Sequence, residues 1–231
     1  GQQRLKSILY FFDRKFEDGK IFKLKDVRDQ WEGKTYDDLT ESDKRRLKNS
    51  LLRTTIFEQT DPDDDSSIYE IFERLNTGGV SLNPQEIRNC VIKGGNINKF
   101  LEQLNLYPAW RTLLGKEKPD ARMKDIEMIL RFFALYTNLK NYSKPLKEFI
   151  TKFMKKNREL SKEDQEIWAD LFKRVIDKIN NEIGSGAFRI RSGINVTVFD
   201  SISVALAILE PENVSNLKSR YENLIHNCSY L

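Results

Sequence analysis

Histidine and cysteine are scarce in this sequence, and their scarcity narrows the chemistry that the protein can perform. The chain has one histidine, His226, and two cysteines, Cys90 and Cys228. The cysteines lie far apart and lack the spacing of a metal site, which argues against structural zinc and favours a reducing, cytosolic compartment. A Ser-His-Asp triad would have to use His226, near the last residue. Any catalysis must therefore rest on carboxylates, arginines, amides or a bound metal.

Long apolar runs are also missing. The longest uncharged apolar run, Val204 to Leu209, is much shorter than the roughly 20 residues that a membrane-spanning helix needs. No secretory signal is visible. The sequence therefore predicts no membrane partner.

The composition is that of a folded, helix-rich protein. Of the 231 residues, 39% are hydrophobic, 11% are aromatic and 32% are charged, which is enough apolar surface for a core. The length allows one large domain or two small ones. The net charge of +4 permits contact with nucleic acid without arguing for it, because both signs are interspersed along the chain.

The periodicity changes near residue 96. Before it, short β-like stretches at 21–24 and 51–59 are mixed with helical segments, including one that begins at Asn83 with a capping pattern. After it the pattern is helical, and the predicted helices cover about 97–106, 108–115, 120–139, 144–158, 162–183, 195–209 and 212–227. The predicted class is α+β, predominantly α, with domains at 1–95 and 96–231.

The first twelve residues, GQQRLKSILYFF, predict a helix with a polar start. Leu5, Ile8, Leu9 and Phe12 recur at helical spacing and predict a core-facing stripe.

Ahead of that stripe stand Gly1, Gln2, Gln3 and Arg4. A helix N-terminus attracts anions, and arginine adds a planar charged fork that suits phosphate. These residues are a candidate phosphate cradle, although an ordinary polar helix start has the same composition.

A second polar stretch lies within IFERLNTGGVSLNPQEIRN, residues 71–89, where two predicted helices meet through a glycine turn. An arginine, amides and exposed N–H groups at such a turn suit a phosphate or a base edge. On composition alone, a glycine-capped connection between helices is the favoured interpretation. The candidate nucleotide-binding residues of this stretch are Arg74, Asn76, Thr77, Gly78 and Gly79.

Three charged runs have two interpretations each. The acidic run Asp61 to Asp65 can contribute ligands to Mg²⁺ or form a solvated loop, and the second interpretation is favoured. The basic runs Lys44 to Lys48 and Lys152 to Arg158 can contact DNA phosphates, but solvated helix faces are favoured.

Taken together, the two polar stretches resemble the N-terminal domain family of GmrSD-type, modification-dependent restriction endonucleases. GQQR is similar to the family's Asp-Gly-Gln-Gln-Arg signature, and the second stretch to its Phe-x-x-x-Asn-Thr-Gly-Gly-x-x-Leu-x-x-x-Glu-x-Arg pattern. That pattern falls here on Phe72, Asn76, Thr77, Gly78, Gly79, Leu82, Glu86 and Arg88. Two later segments also resemble the family's helical half, through Arg122, Asp125, Glu127, Arg131, Phe199 and Asp200.

The resemblance implies a ParB/sulfiredoxin-like nucleotide-binding part followed by an all-helical bundle. It implies NTP binding and hydrolysis, for which the residues alone give only candidate phosphate contacts. Mg²⁺ is a candidate cofactor. The function implied is the regulation of a nuclease that acts on modified phage DNA. The two polar stretches would then form the two sides of a nucleotide pocket. Expected partners are a nucleotide, modified DNA, a nuclease domain or partner protein, and a second copy of the chain.

Two departures from the family pattern matter. The Asp of the first signature and the leading strands would precede Gly1, so we expect the sequence to be part of a longer protein. If that Asp is a base or a metal ligand, this part alone should be inactive. A His-Asn-His nuclease signature is also absent, so DNA cleavage would need another domain. The alternative functions are a non-catalytic DNA-binding module and a helical scaffold for oligomerisation.

Overall fold

Helices form most of the regular structure. The computed structural model describes residues 2–52, Ile71, 82–92, 95–190 and 193–226. In chain order, the α-helices of these residues are α1 (Gln2–Asp13), α2 (Glu41–Lys48), α3 (Pro84–Val91), α4 (Ile97–Asn105), α5 (Pro108–Leu114), α6 (Lys124–Asn138), α7 (Leu146–Lys156), α8 (Lys162–Glu182), α9 (Val196–Leu209) and α10 (Leu217–Ile225). The predominantly helical class is confirmed.

Extended backbone is rare in the same residues. It is limited there to two isolated antiparallel bridges, Lys15 with Ile21 and Arg189 with Ile194. The predicted strand at 21–24 is therefore wrong. Phe22 N–H donates to the Arg14 carbonyl, whereas Leu24 N–H donates to the Lys34 carbonyl, so the segment changes partners before a ladder can form.

Two other predictions of local structure cannot be compared with the coordinates. The predicted strand at 51–59 has no regular structure at Leu51 and Leu52, and its remainder lies outside the described residues. The acidic run at 61–65 also lies outside them. A ParB/sulfiredoxin-like α/β part is not confirmed by the residues that the structure describes.

The chain divides into two compact units, Gly1–Glu58 and Gln59–Leu231. Helix α3 therefore groups with the helices that follow it. The predicted functional domains, 1–95 and 96–231, stay a prediction, since compact units and functional domains are defined differently.

The first unit has a small aromatic core. Phe11, Tyr36 and Leu39 are buried, and partly buried side chains pack around them: Phe12, Phe22, Leu24 and Trp31. The rings of Phe11 and Tyr36 meet edge to face with centroids 5.8 Å apart, a favoured geometry for aromatic pairs.

This core corrects the predicted apolar stripe of α1. Leu5 and Leu9 are 50% and 58% exposed, and the side chain of α1 that is fully in the core is Phe11. Within its unit, only the C-terminal end of α1 contributes to the described core. The described residues of this unit leave the predicted apolar stripe largely exposed.

The second unit is built around α6. Ile129, Phe132 and Phe133 have no exposed surface, and α6 packs against α3, α4, α7 and α9. Helix α8 packs against α5, α9 and α10. The ring of Phe132 meets that of Phe172 on α8 edge to face, at 5.7 Å between centroids. One contiguous apolar core thus joins the helices of this unit.

Helix α6 begins four residues later than the predicted position. Asp120 accepts the N–H of Arg122 on its carboxylate at 2.9 Å, and its own N–H donates to the Asp125 carboxylate at 2.8 Å. Met123 has a φ of +55°, which a regular helix does not allow. Residues 120–123 form a separate turn because these side chains satisfy its backbone.

Gly95 marks the closest backbone approach in this unit. A Cβ built on Gly95 would lie 2.1 Å from the Arg158 carbonyl oxygen. The neighbouring Asn96 exchanges two hydrogen bonds with Leu160, donating at 2.7 Å and accepting at 2.8 Å. The loop before α4 is therefore fixed to the loop between α7 and α8.

We expect Gly95→Ala to destabilise the protein by about 1–3 kcal/mol, because the added methyl group forces backbone apart. The melting temperature should fall by about 2–4 °C per kcal/mol, measured by far-UV circular dichroism. Gly186→Ala is the matched control, since a Cβ there meets nothing within 4 Å. Equal melting temperatures for the two variants would contradict the prediction.

Candidate functional site

The predicted phosphate cradle lies at the start of α1. The first turn of this helix consists of Gln2, Gln3 and Arg4 and contains no acidic residue. The Arg4 side chain is exposed. Gly1 lies outside the described residues. The prediction that this motif opens a helix is confirmed, and its ligand stays a prediction.

The other predicted site residues cannot be placed. Arg74, Asn76, Thr77, Gly78 and Gly79 lie outside the residues that the structure describes. What the structure does describe is the second half of the same motif, from Leu82 to Arg88.

This second half begins with the predicted capping box. The Asn83 side chain accepts the N–H of Glu86 at 2.9 Å, and the Glu86 carboxylate accepts the N–H of Asn83 at 2.7 Å. Pro84 occupies the first turn, where its missing N–H costs no helical hydrogen bond. The sequence pattern Asn-Pro-x-Glu thus folds locally as expected.

Glu86 and Asn83 also attach the start of α3 to the turn before α6. Arg122 donates from Nε to the Glu86 carboxylate at 3.1 Å, and the Asn83 side-chain amide donates to the Arg122 carbonyl at 2.5 Å. The Glu86 carboxylate is buried, so this charge-assisted contact is partly shielded from water. The cap is therefore both a helix start and a tertiary contact.

Arg88 is the most completely buried charged side chain among the described residues, at 1% exposure. Its guanidinium donates to Thr151 Oγ1 at 3.1 Å, to Gln85 Oε1 at 2.8 Å and to Glu127 Oε2 at 3.2 Å. A fourth bond reaches the Lys147 carbonyl at 3.4 Å. Arginine presents five donors in a rigid fork, and here that fork joins α3 to α6 and α7.

Glu127 is one turn of α6 before Arg131, which pairs with Asp200 on α9. Arg131 Nε donates to the two Asp200 oxygens at 3.2 and 3.1 Å, and its Nη2 donates to Oδ2 as well. Burial raises the pKa of Asp200 above its ordinary value; Arg131 opposes that rise and the charge of Glu127 adds to it. Charged pairs therefore continue from α3 through α6 to α9.

A second buried charged cluster lies around Asp125, in the first turn of α6. Arg111 on α5 donates from Nη1 to the Asp125 carboxylate at 2.8 Å and to Asn105 Oδ1 at 2.9 Å. Trp110 Nε1 donates to the same amide oxygen at 3.0 Å. Arg111 Nη2 is buried without a hydrogen-bond partner among the described residues, while the other polar atoms named here contact protein groups.

Sequence reasoning gave these arginines no role, although it quoted several of them for the resemblance. The available signal was charge inside an apolar helix, since Asp125, Glu127 and Arg131 interrupt the otherwise hydrophobic α6. Such residues are almost never fully buried unless they are paired. Their partners are distant in sequence, so the pairing itself was not visible.

One open depression of about 680 Å³ lies beside the end of α8 and the start of α10. Two of its charged residues pair with each other: Lys178 Nζ lies 2.7 Å from Glu182 Oε1, and Glu182 also accepts the N–H of Leu217 at 2.9 Å. In the part of the chain that the structure describes, no three His, Cys, Asp or Glu residues are grouped as metal ligands would be. The same part contains no helix with the length and apolarity of a membrane span.

The described features define a helical protein in which the second polar motif has a structural half, Leu82 to Arg88, and a candidate ligand-binding half outside the described residues. Residues 1–93 match the family model described as GmrSD restriction endonuclease, N-terminal domain. The resemblance is therefore confirmed for these residues, which include both polar motifs. No curated protein and no solved structure matches the chain.

The raised pKa of Asp200 predicts a specific pH dependence. A carboxyl group with a raised folded pKa binds its proton more readily in the folded than in the unfolded chain. Its contribution to stability is therefore present at low pH and falls as the pH rises from 3.8 through the raised value. Asp200→Asn removes this titration. We expect the free energy of unfolding of the unsubstituted chain, relative to the variant, to fall across that window.

Urea unfolding of both proteins at a series of pH values measures this difference. The remaining carboxylates titrate in both proteins, so the difference isolates Asp200. A relative stability that rises with pH would show that the ion pair with Arg131 outweighs burial.

Proposed function

We propose that this chain is a nucleotide-binding, NTP-hydrolysing regulatory domain of an anti-phage, modification-dependent restriction system. The observation that carries the proposal is the match of residues 1–93 to the N-terminal domain of GmrSD restriction endonucleases. Both polar motifs lie inside that match, in the order that the resemblance requires.

The first motif supports anion binding by its local structure. Helix α1 begins at Gln2, so its first N–H groups and positive dipole end coincide with the motif. This first turn contains no acidic residue, which favours an anion there. The exposed Arg4 adds a charge that binds phosphate in a planar, bidentate manner.

The second motif supports the proposal by a division of roles. Glu86 and Arg88 are engaged by protein partners and therefore serve the fold. The proposed ligand contacts of this motif are its remaining polar residues, Arg74, Asn76, Thr77, Gly78 and Gly79. Their amides and glycine N–H groups suit a nucleotide phosphate or base edge.

The remaining parts of the proposal follow from the same resemblance. The cofactor is an NTP with Mg²⁺, and the fold of the N-terminal part is ParB/sulfiredoxin-like. The partners are a nuclease domain or nuclease protein, modified DNA and a second copy of the chain, in the cytoplasm. Hydrolysis regulates the nuclease, and DNA cleavage belongs to the partner.

Nucleotide binding should raise the melting temperature of the full-length protein. A ligand at a hundred times its Kd stabilises a protein by about 2.7 kcal/mol, which is several degrees. We expect a shift with at least one of ATP, GTP, CTP and UTP in the presence of Mg²⁺, and its loss in Arg4→Ala. Release of inorganic phosphate from the same nucleotide measures hydrolysis.

Arg45→Ala is the matched control, since Arg45 is an exposed arginine of the same unit outside both motifs. The control should keep the shift. If none of the four nucleotides changes the melting temperature, the proposal of nucleotide binding is wrong.

The second candidate function is DNA binding without catalysis. It is favoured by the exposed cations of α2, Arg45, Arg46 and Lys48, which the structure places on one short helix without buried residues. If this function holds, the affinity for labelled duplex DNA in fluorescence anisotropy should fall steeply with salt. It should survive Arg4→Ala and weaken in the Arg45→Ala/Arg46→Ala double variant. Light scattering separates the third possibility, a helical scaffold that only oligomerises.

A further inference from the structure

We draw no further inference here: the strongest candidate, the exposed apolar stripe of α1 at Leu5 and Leu9, carries none because nothing in the described part of the chain shows what covers it.

Discussion

The second unit depends on the burial of the Arg88 guanidinium. A permanently charged group with 1% exposure is stable only when its donors and charge are satisfied inside the protein. Glu127 supplies the counter-charge, and Thr151 and the Lys147 carbonyl complete the set. These acceptors fix α3 against α6 and α7. Residues 82–89, the described end of the second polar stretch, are consequently part of the helical unit.

The same requirement organises the rest of α6. Seven of its 15 residues are buried. Three of its charged side chains meet an opposite charge from another helix: Asp125 meets Arg111, Glu127 meets Arg88, and Arg131 meets Asp200. Apolar packing alone tolerates substitution and sliding, because any contact of suitable volume will serve. Charged pairs demand specific partners. Together they specify the rotation and position of α6 against its neighbours.

Local sequence signals predicted the local structure well. Asn83 caps a helix as its pattern indicates, and the helices after residue 96 lie where periodicity placed them, with shifts at their ends. Long-range features were out of reach. The bonds of Arg88 to Glu127 and Thr151 span 39 and 63 residues. Periodicity also cannot tell which stripe of a helix is covered, which explains the exposed Leu9.

The type of the candidate site was predictable from the sequence, but not which of its polar residues are engaged by the fold. The motif that ends in Glu86 and Arg88 looks uniform in sequence, because every polar residue in it could contact a ligand. In the structure Glu86 pairs with Arg122, and Arg88 pairs with Glu127. Both residues therefore serve the fold. Loss of function on replacing either one would therefore not identify a ligand contact. Substitution of Glu127, which lies outside the motif, removes the same link without touching a ligand residue, and so separates anchoring from binding.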